Sequence, residues 1–288
     1  MAFGMAEKFE LTRVMVERSL RLLVRFKLSF LFTLASMVVS VATFFFVSLL
    51  VEGQGSDVLG PYGGNYFSFV LVGLAFQFYA LTTLGDYLKT VQGAYWNNWM
   101  EMIITAPHSL RTFFASVMTW SYLYATINVM LYFLLGVAVF GAYIPFPSHL
   151  WLVLLLLSLS LFSISGLGLM SASMFLLTDA KGGTEPISYV IGTLASIFSG
   201  VFFPVAIIPA WLRPVGYVLP HTYALEGIRR AVLTPDLIYW GSMFEWWSMW
   251  NIIFMLTVLA VILLPLGLYM FKRGIAHAER TGTLARWG

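Results

Sequence analysis

Between Thr112 and Thr178 the chain carries no Asp, Glu, Lys or Arg. A soluble domain keeps about a quarter of its residues charged, so an uncharged run of this length belongs in a bilayer. Hydrocarbon about 30 Å thick is crossed by roughly 20 residues of helix. The run is too long for one crossing, and Gly141, Pro145 and Pro147 divide it in two. The same test marks Leu28–Val51, a stretch inside Val58–Gly85 behind the turn PYGGN, Pro186–Leu212, and Trp246–Phe271. Six spans follow, and with them an all-α polytopic membrane protein forming one transmembrane domain over residues 1–288. Composition agrees, at 60% hydrophobic and 10% charged residues with a mean hydropathy of +0.85.

Lys and Arg concentrate on the cytoplasmic side of membrane proteins. The six spans place Lys8, Arg13, Arg18, Arg21, Arg25, Lys27, Lys89, Arg111, Lys181, Lys272, Arg273, Arg280 and Arg286 on one side, and only Arg213, Arg229 and Arg230 on the other. Both termini are therefore expected in the cytoplasm, in a cell (inner) membrane. The N-terminal segment lacks a short apolar core followed by a small-residue cleavage site, so it does not read as a cleavable signal. Within residues 1–27, Glu10, Arg13, Glu17, Arg21 and Arg25 recur at helical spacing with Phe9, Val16, Leu20 and Leu23 between them. That is a basic amphipathic helix lying in the lipid headgroup plane, with membrane lipids as its partner.

Chemistry inside a membrane leaves costly ionisable groups in the spans, and these spans hold almost none. His149 and His221 have no second His or carboxylate at ligand spacing and read as interfacial residues. No catalytic site and no metal site is expected, and with a net charge of +3 nucleic acid is not an expected partner. The motifs HExxH, GxSxG and GxxxxGK[ST] do not occur, so the chain has no phosphate-binding loop. There is no cysteine. Ser163, Ser165, Ser171 and Ser173 alternate with Gly166, Gly168 and Ala172, a pattern suited to close helix packing.

Two segments stand apart. In the loop 89–112, Trp96, Trp99, Met100 and Ile103 would form one apolar face of a short helix that Pro107 ends, with Asn97, Asn98 and Glu101 turned elsewhere. Exposed tryptophans there suit docking on another protein and suit an interfacial aromatic belt equally well. In the other segment, a fifth span from Ile187 would stop near Pro204, about 25 Å long at 1.5 Å per residue and short of a full crossing. Residues 204–245 are too apolar for water and too broken by proline to span. Broken backbone at membrane depth survives where protein or a water-filled cavity covers it. A re-entrant hairpin turning at Pro209 and Pro220 satisfies both demands, with residues 221–233 as a surface amphipathic helix on which Glu226 pairs with Arg229 or Arg230.

The stretch from SGVFFP (199–204) through PAWLRP and the YVLP–HTYALEGIRRAVL run (217–233) resembles the C-terminal signature of ABC-2 type permeases, the membrane subunits of type-2 ABC exporters. WMEMIITAPHSLRTFF (99–114) is similar to their first coupling segment, although QGAYWNNW stands where the family often has Glu-Arg-x-x-Gly-Thr. The resemblance implies a homodimer around a pathway, with each copy docking a separate ABC ATPase that binds ATP and Mg; no cofactor is bound by this chain. It implies ATPase coupling through Trp96, Asn97, Asn98, Trp99, Met100, Glu101, Thr105 and Pro107, with Lys181 in a second contact. It also implies an outer gate containing Gly200, Phe203, Pro204, Pro209, Pro220, Glu226 and Arg229. The aromatic residues Phe44, Phe45, Phe46, Phe76, Phe78, Tyr79, Tyr122 and Tyr124 favour an amphiphilic or hydrophobic substrate, such as a drug, a lipid or a lipid-linked glycan, unless they face lipid or pack between helices. A membrane-embedded lipid-modifying enzyme and a non-catalytic membrane scaffold are the alternatives.

Overall fold

The computed structural model describes residues 5–51, 59–63, 65–105, 110–145, 149–178, 186–234 and 248–282. In chain order the helices are α1 Met5–Arg25, α2 Lys27–Val51, α3 Tyr66–Trp96, α4 Met100–Thr105, α5 Leu110–Leu134, α6 Leu150–Leu177, α7 Pro186–Phe198, α8 Arg213–Tyr217, α9 Pro220–Leu233 and α10 Met249–Thr281. Among the described residues, five helices are long and apolar enough to cross a membrane: α2, α3, α5 with its extension to Val139, α6 and α10. The fifth of the six expected spans is α7, and it is shorter than its proline pattern suggested. It has 13 residues, about 20 Å at 1.5 Å per residue. It ends at Phe198, before Pro204, because Gly200 takes the left-handed conformation at φ +81° and turns the chain out of the helix.

Helix α3 is the axis of the bundle. The Asn65 side chain accepts the Ser68 N–H at 2.9 Å and caps the helix start. Apolar residues then follow one another round all its faces, and Phe69, Val70, Leu71, Val72 and Ala80 are sealed from solvent. A helix apolar on every side belongs in the middle of its neighbours. It packs along its length against α5 and α6, and it also meets α2, α7 and α9.

The serines and glycines of α6 pack helices. A Cβ on Gly166 would lie 2.3 Å from the Leu263 carbonyl oxygen, and one on Gly267 would lie 2.3 Å from the Gly166 carbonyl oxygen, so α6 and α10 meet backbone to backbone. The contact falls beside Pro265, which sits inside α10. Ser173 seals the lower part of the seam by donating to the Met270 carbonyl at 2.7 Å.

Candidate functional site

After Phe198 the chain runs through bends at 199–203, a short 3-10 turn at Val205–Ile207 capped by Pro204, a second turn opened by Pro209, then α8 and α9. Each proline stands where its missing donor costs nothing. Pro214 lies in the first turn of α8 and Pro220 in the first turn of α9, where helical N–H groups have no partner anyway.

The carbonyls of this broken backbone are taken up by arginine. Arg229 is buried and donates to two of them, Nη1 to Gly200 at 2.5 Å and Nη2 to Val201 at 2.8 Å, while its Nε donates to the Phe69 carbonyl of α3 at 3.1 Å. Its guanidinium also lies 3.5 Å from the centre of the Phe69 ring, where the π face attracts a cation. Gly73 makes room for this assembly. A Cβ there would meet the Val201 carbonyl oxygen at 2.3 Å and Arg229 Nη2 at 2.5 Å. Arg213 repeats the device one turn on, with Nε donating to the Ile208 carbonyl at 2.8 Å and Nη2 to the Ala206 carbonyl at 2.7 Å. Fork-shaped donors of this kind can serve two or three acceptors at once.

Glu226 pairs with Arg230, which donates from Nε at 2.7 Å, and not with Arg229. The second carboxylate oxygen accepts the Tyr62 O–H at 2.6 Å, from the turn that follows α2. Burial, and then the neighbouring Glu226 charge, hold the Tyr62 phenol well above the usual tyrosine range, so Tyr62 is the donor. The expected surface helix is therefore corrected: every α9 residue from Pro220 to Val232 is buried. The polar residues face inward because carbonyls, a carboxylate and a phenol wait for them there. His221 is drawn inward with it: the ring is fully buried within the protein and packs edge-on to Phe76, with centroids 6.2 Å apart. What remains exposed is the turn between α7 and α9, where Ile207, Trp211 and Val218 stand 58%, 78% and 72% open. Phe203 is half-buried, Pro204 buried and Pro209 exposed.

At the other segment, α3 stops at Trp96 in a left-handed turn. Asn98 has φ +59°; its N–H bonds the Tyr95 carbonyl at 3.1 Å, and the Trp99 N–H bonds the Ala94 carbonyl at 2.8 Å. These two bonds form a Schellman cap, with asparagine in the place glycine usually holds. The Asn97 side chain adds a bond to the Gly93 carbonyl at 2.7 Å. The single apolar face expected on α4 is divided. Met100 is buried and Ile103 half-buried against Tyr87, Phe175 and Phe271, whereas Trp96, Trp99, Glu101 and Met102 are exposed. The Cα directions explain the split, since Trp96 belongs to α3 and Trp99 to the turn, so neither shares the α4 register. Thr105 is exposed and bonds back to the Glu101 carbonyl at 2.8 Å. Pro107 and Lys181 lie outside the described residues, as do 106–109 of the coupling loop and 235–245 of the hairpin.

Several aromatics expected along a pathway are built into helix contacts. The Tyr79 and Thr126 hydroxyls share a hydrogen bond of 2.5 Å, and the Tyr122 and Ser165 hydroxyls one of 2.8 Å, tying α3, α5 and α6. Phe44 stacks on Phe202 at 5.1 Å, Phe45 meets Phe67 at 5.5 Å, and Phe78 meets Tyr124 at 6.4 Å. Phe46 remains exposed. Sequence reading missed Tyr62, Gly73 and Arg213. Arg213 carried a signal, being one of three basic residues on the sparsely charged side.

A bundle of helices long and apolar enough to cross a membrane, with a turn-rich segment fixed to it by buried charges, is the fold of an all-α multi-pass membrane protein. The profile of a family described as ABC-2 family transporter protein matches residues 54–269, and the chain belongs to that family. It is a permease of the ABC transporter class, a transmembrane transport subunit. No curated protein matches the chain in sequence.

Proposed function

We propose that this permease works as a homodimer, exports an amphiphilic or hydrophobic substrate, and is driven by a separate cytoplasmic ATPase that carries the ATP and Mg. The observation that carries the reading is the division of the broken segment into a clamped part and an open part. Arg229 and the Glu226–Arg230–Tyr62 group fix α9 to the bundle, while the turn from Phe202 to Val218 presents Ile207 and Trp211 outward. An outer gate needs such a division: a rigid anchor and a lip that shifts as the two copies separate. The gate of this reading is thus Phe203 to Val218, with Gly200, Pro220, Glu226 and Arg229 as its mount. Trp96, Trp99 and Glu101 are the surface offered to the ATPase, and Asn97, Asn98 and Met100 set its shape.

The test uses permease and ATPase reconstituted together in liposomes. A single cysteine at Trp211, in a chain that has none, should react with an impermeant maleimide at rates that differ between the nucleotide-free and vanadate-trapped states. Equal rates in both states would remove the gate from this turn. Trp99→Ala with Glu101→Ala should reduce ATPase co-purification while leaving membrane insertion intact; undiminished co-purification and export would exclude the coupling role.

A further inference from the structure

Helix α1 and the start of α2 border two adjoining hollows that share Leu22. One, of about 300 Å³, is rimmed by Arg18, Arg21 and Arg25 with Glu17. The other, of about 410 Å³, is walled by Leu22, Leu23 and Phe26 and by Trp120 and Tyr124 of α5. The two α5 rings stack at 6.1 Å, and a Thr12–Ser116 hydroxyl bond of 2.9 Å fixes α1 against α5. Basic rim and apolar trough adjoin at Leu22, beside the start of α2, the first helix long and apolar enough to cross a membrane.

We infer that this groove binds an anionic phospholipid. The phosphate sits among the three arginines and the first part of an acyl chain lies between Phe26 and the Trp120–Tyr124 stack. Charge decides the headgroup. Glu17 accepts from Arg21, so the rim keeps a net positive charge that a neutral zwitterion does not match and an anionic lipid does. Depth decides against a free anion or an acidic peptide, neither of which fills the aromatic trough. Phe9 and Val24 of α1 and Phe26 just after it are 72%, 65% and 61% exposed, as side chains that rest in lipid are. Arg18 also lies 5.5 Å from the Trp99 ring, so the lipid phosphate stands one side chain from that turn. The inference does not depend on the transport reading.

The test uses the full-length protein in neutral detergent with one cysteine at Ser29, a groove residue, carrying an environment-sensitive dye. Dioleoyl phosphatidylglycerol should give a saturable response at least tenfold tighter than dioleoyl phosphatidylcholine, and inorganic phosphate should give none. Arg18→Gln, Arg21→Gln and Arg25→Gln together should abolish that preference, because each basic residue near an anionic surface adds about a fivefold factor. The triple lysine variant should retain it. Trp120→Ala with Tyr124→Ala should weaken both lipids while keeping their ratio. Equal affinity for the two lipids, or a preference that survives the glutamine changes in a protein with an unaltered melting curve, overturns the inference. A response to inorganic phosphate that matches the lipid's would make this a free-anion site and overturn it as well.

Discussion

Helices α1 and α9 carry the same short device, a glutamate four residues before an arginine, and use it in opposite ways. On α1, Glu17 accepts from Arg21 with the two side chains 49% and 78% exposed. On α9, Glu226 accepts from Arg230 with the two side chains 10% and 5% exposed. Water already solvates the first pair, so its formation changes little. The second pair has left water, and its stability depends on every lone pair and proton finding a partner, which is why Tyr62 reaches it from another part of the chain. Spacing gives the pair; surroundings give its worth.

The sharpest contrast comes from removing one member of the buried pair. Glu226→Ala removes the buried carboxylate that Arg230 and Tyr62 both bond, and should destabilise the protein by about 3–5 kcal/mol, seen as a large fall in melting temperature in detergent. Glu226→Leu with Arg230→Met should recover most of that loss. If the single change is harmless, α9 is not held by charge.

Arg229→Met comes next. It strands the carbonyls of Gly200 and Val201 inside the protein, at roughly 2–4 kcal/mol, the lower part of the range for two buried acceptors of about 1–3 each. Limited proteolysis should then cut between 199 and 212 in the variant and spare the wild type. Gly73→Ala should cost about 1–3 kcal/mol by overpacking the same clamp, and a melting curve within error of wild type would show that the clamp yields easily.

Smaller still is Asn98→Ala. It places a Cβ-bearing residue without asparagine's local hydrogen bonding in a left-handed turn, at about 1–2 kcal/mol, whereas Asn98→Gly should cost nothing.

Glu17→Gln should be the smallest effect. The hydrogen bond and charge of Arg21 hold the Glu17 carboxyl below its ordinary range, so the pair's contribution is present above the unfolded carboxyl pKa and disappears as pH falls through the folded one. Because water reaches both side chains of the pair, wild type and variant should melt together at neutral and acid pH. A clear separation that closes on acidification would mean that α1 is buried, against lipid or a partner.

Much of the fold was readable because hydrocarbon imposes simple demands. The charge-free run of 112–178, broken at Gly141, became α5 and α6 because length and uncharged composition leave few alternatives. The small residues of α6 pointed to their own packing. What escaped was direction. Arg229 and Arg230 look like the wet face of a surface helix until the partners Phe69, Gly200, Glu226 and Tyr62 are known, and no local pattern names a partner more than a hundred residues away. The end of α7 was misplaced for a similar reason. Proline announces that a helix cannot continue, but Gly200 stopped it first by a backbone angle that sequence does not display. Asn97 and Asn98 entered the ATPase contact through the family resemblance; in the structure they finish α3.

The Arg229 clamp also has a consequence for biogenesis. Its acceptors on Gly200 and Val201 precede it by 29 and 28 positions and the one on Phe69 by 160, while Tyr62 precedes Glu226 by 164. A ribosome therefore delivers the sockets first and the charges last. When α9 emerges, three costly ionic side chains enter a bilayer in which their partners already exist, so the arginines need not wait unpaired in lipid. Until that moment the carbonyls of Gly200 and Val201 lack the guanidinium that covers them in the folded protein, so between synthesis of Val201 and Arg229 they must find other partners.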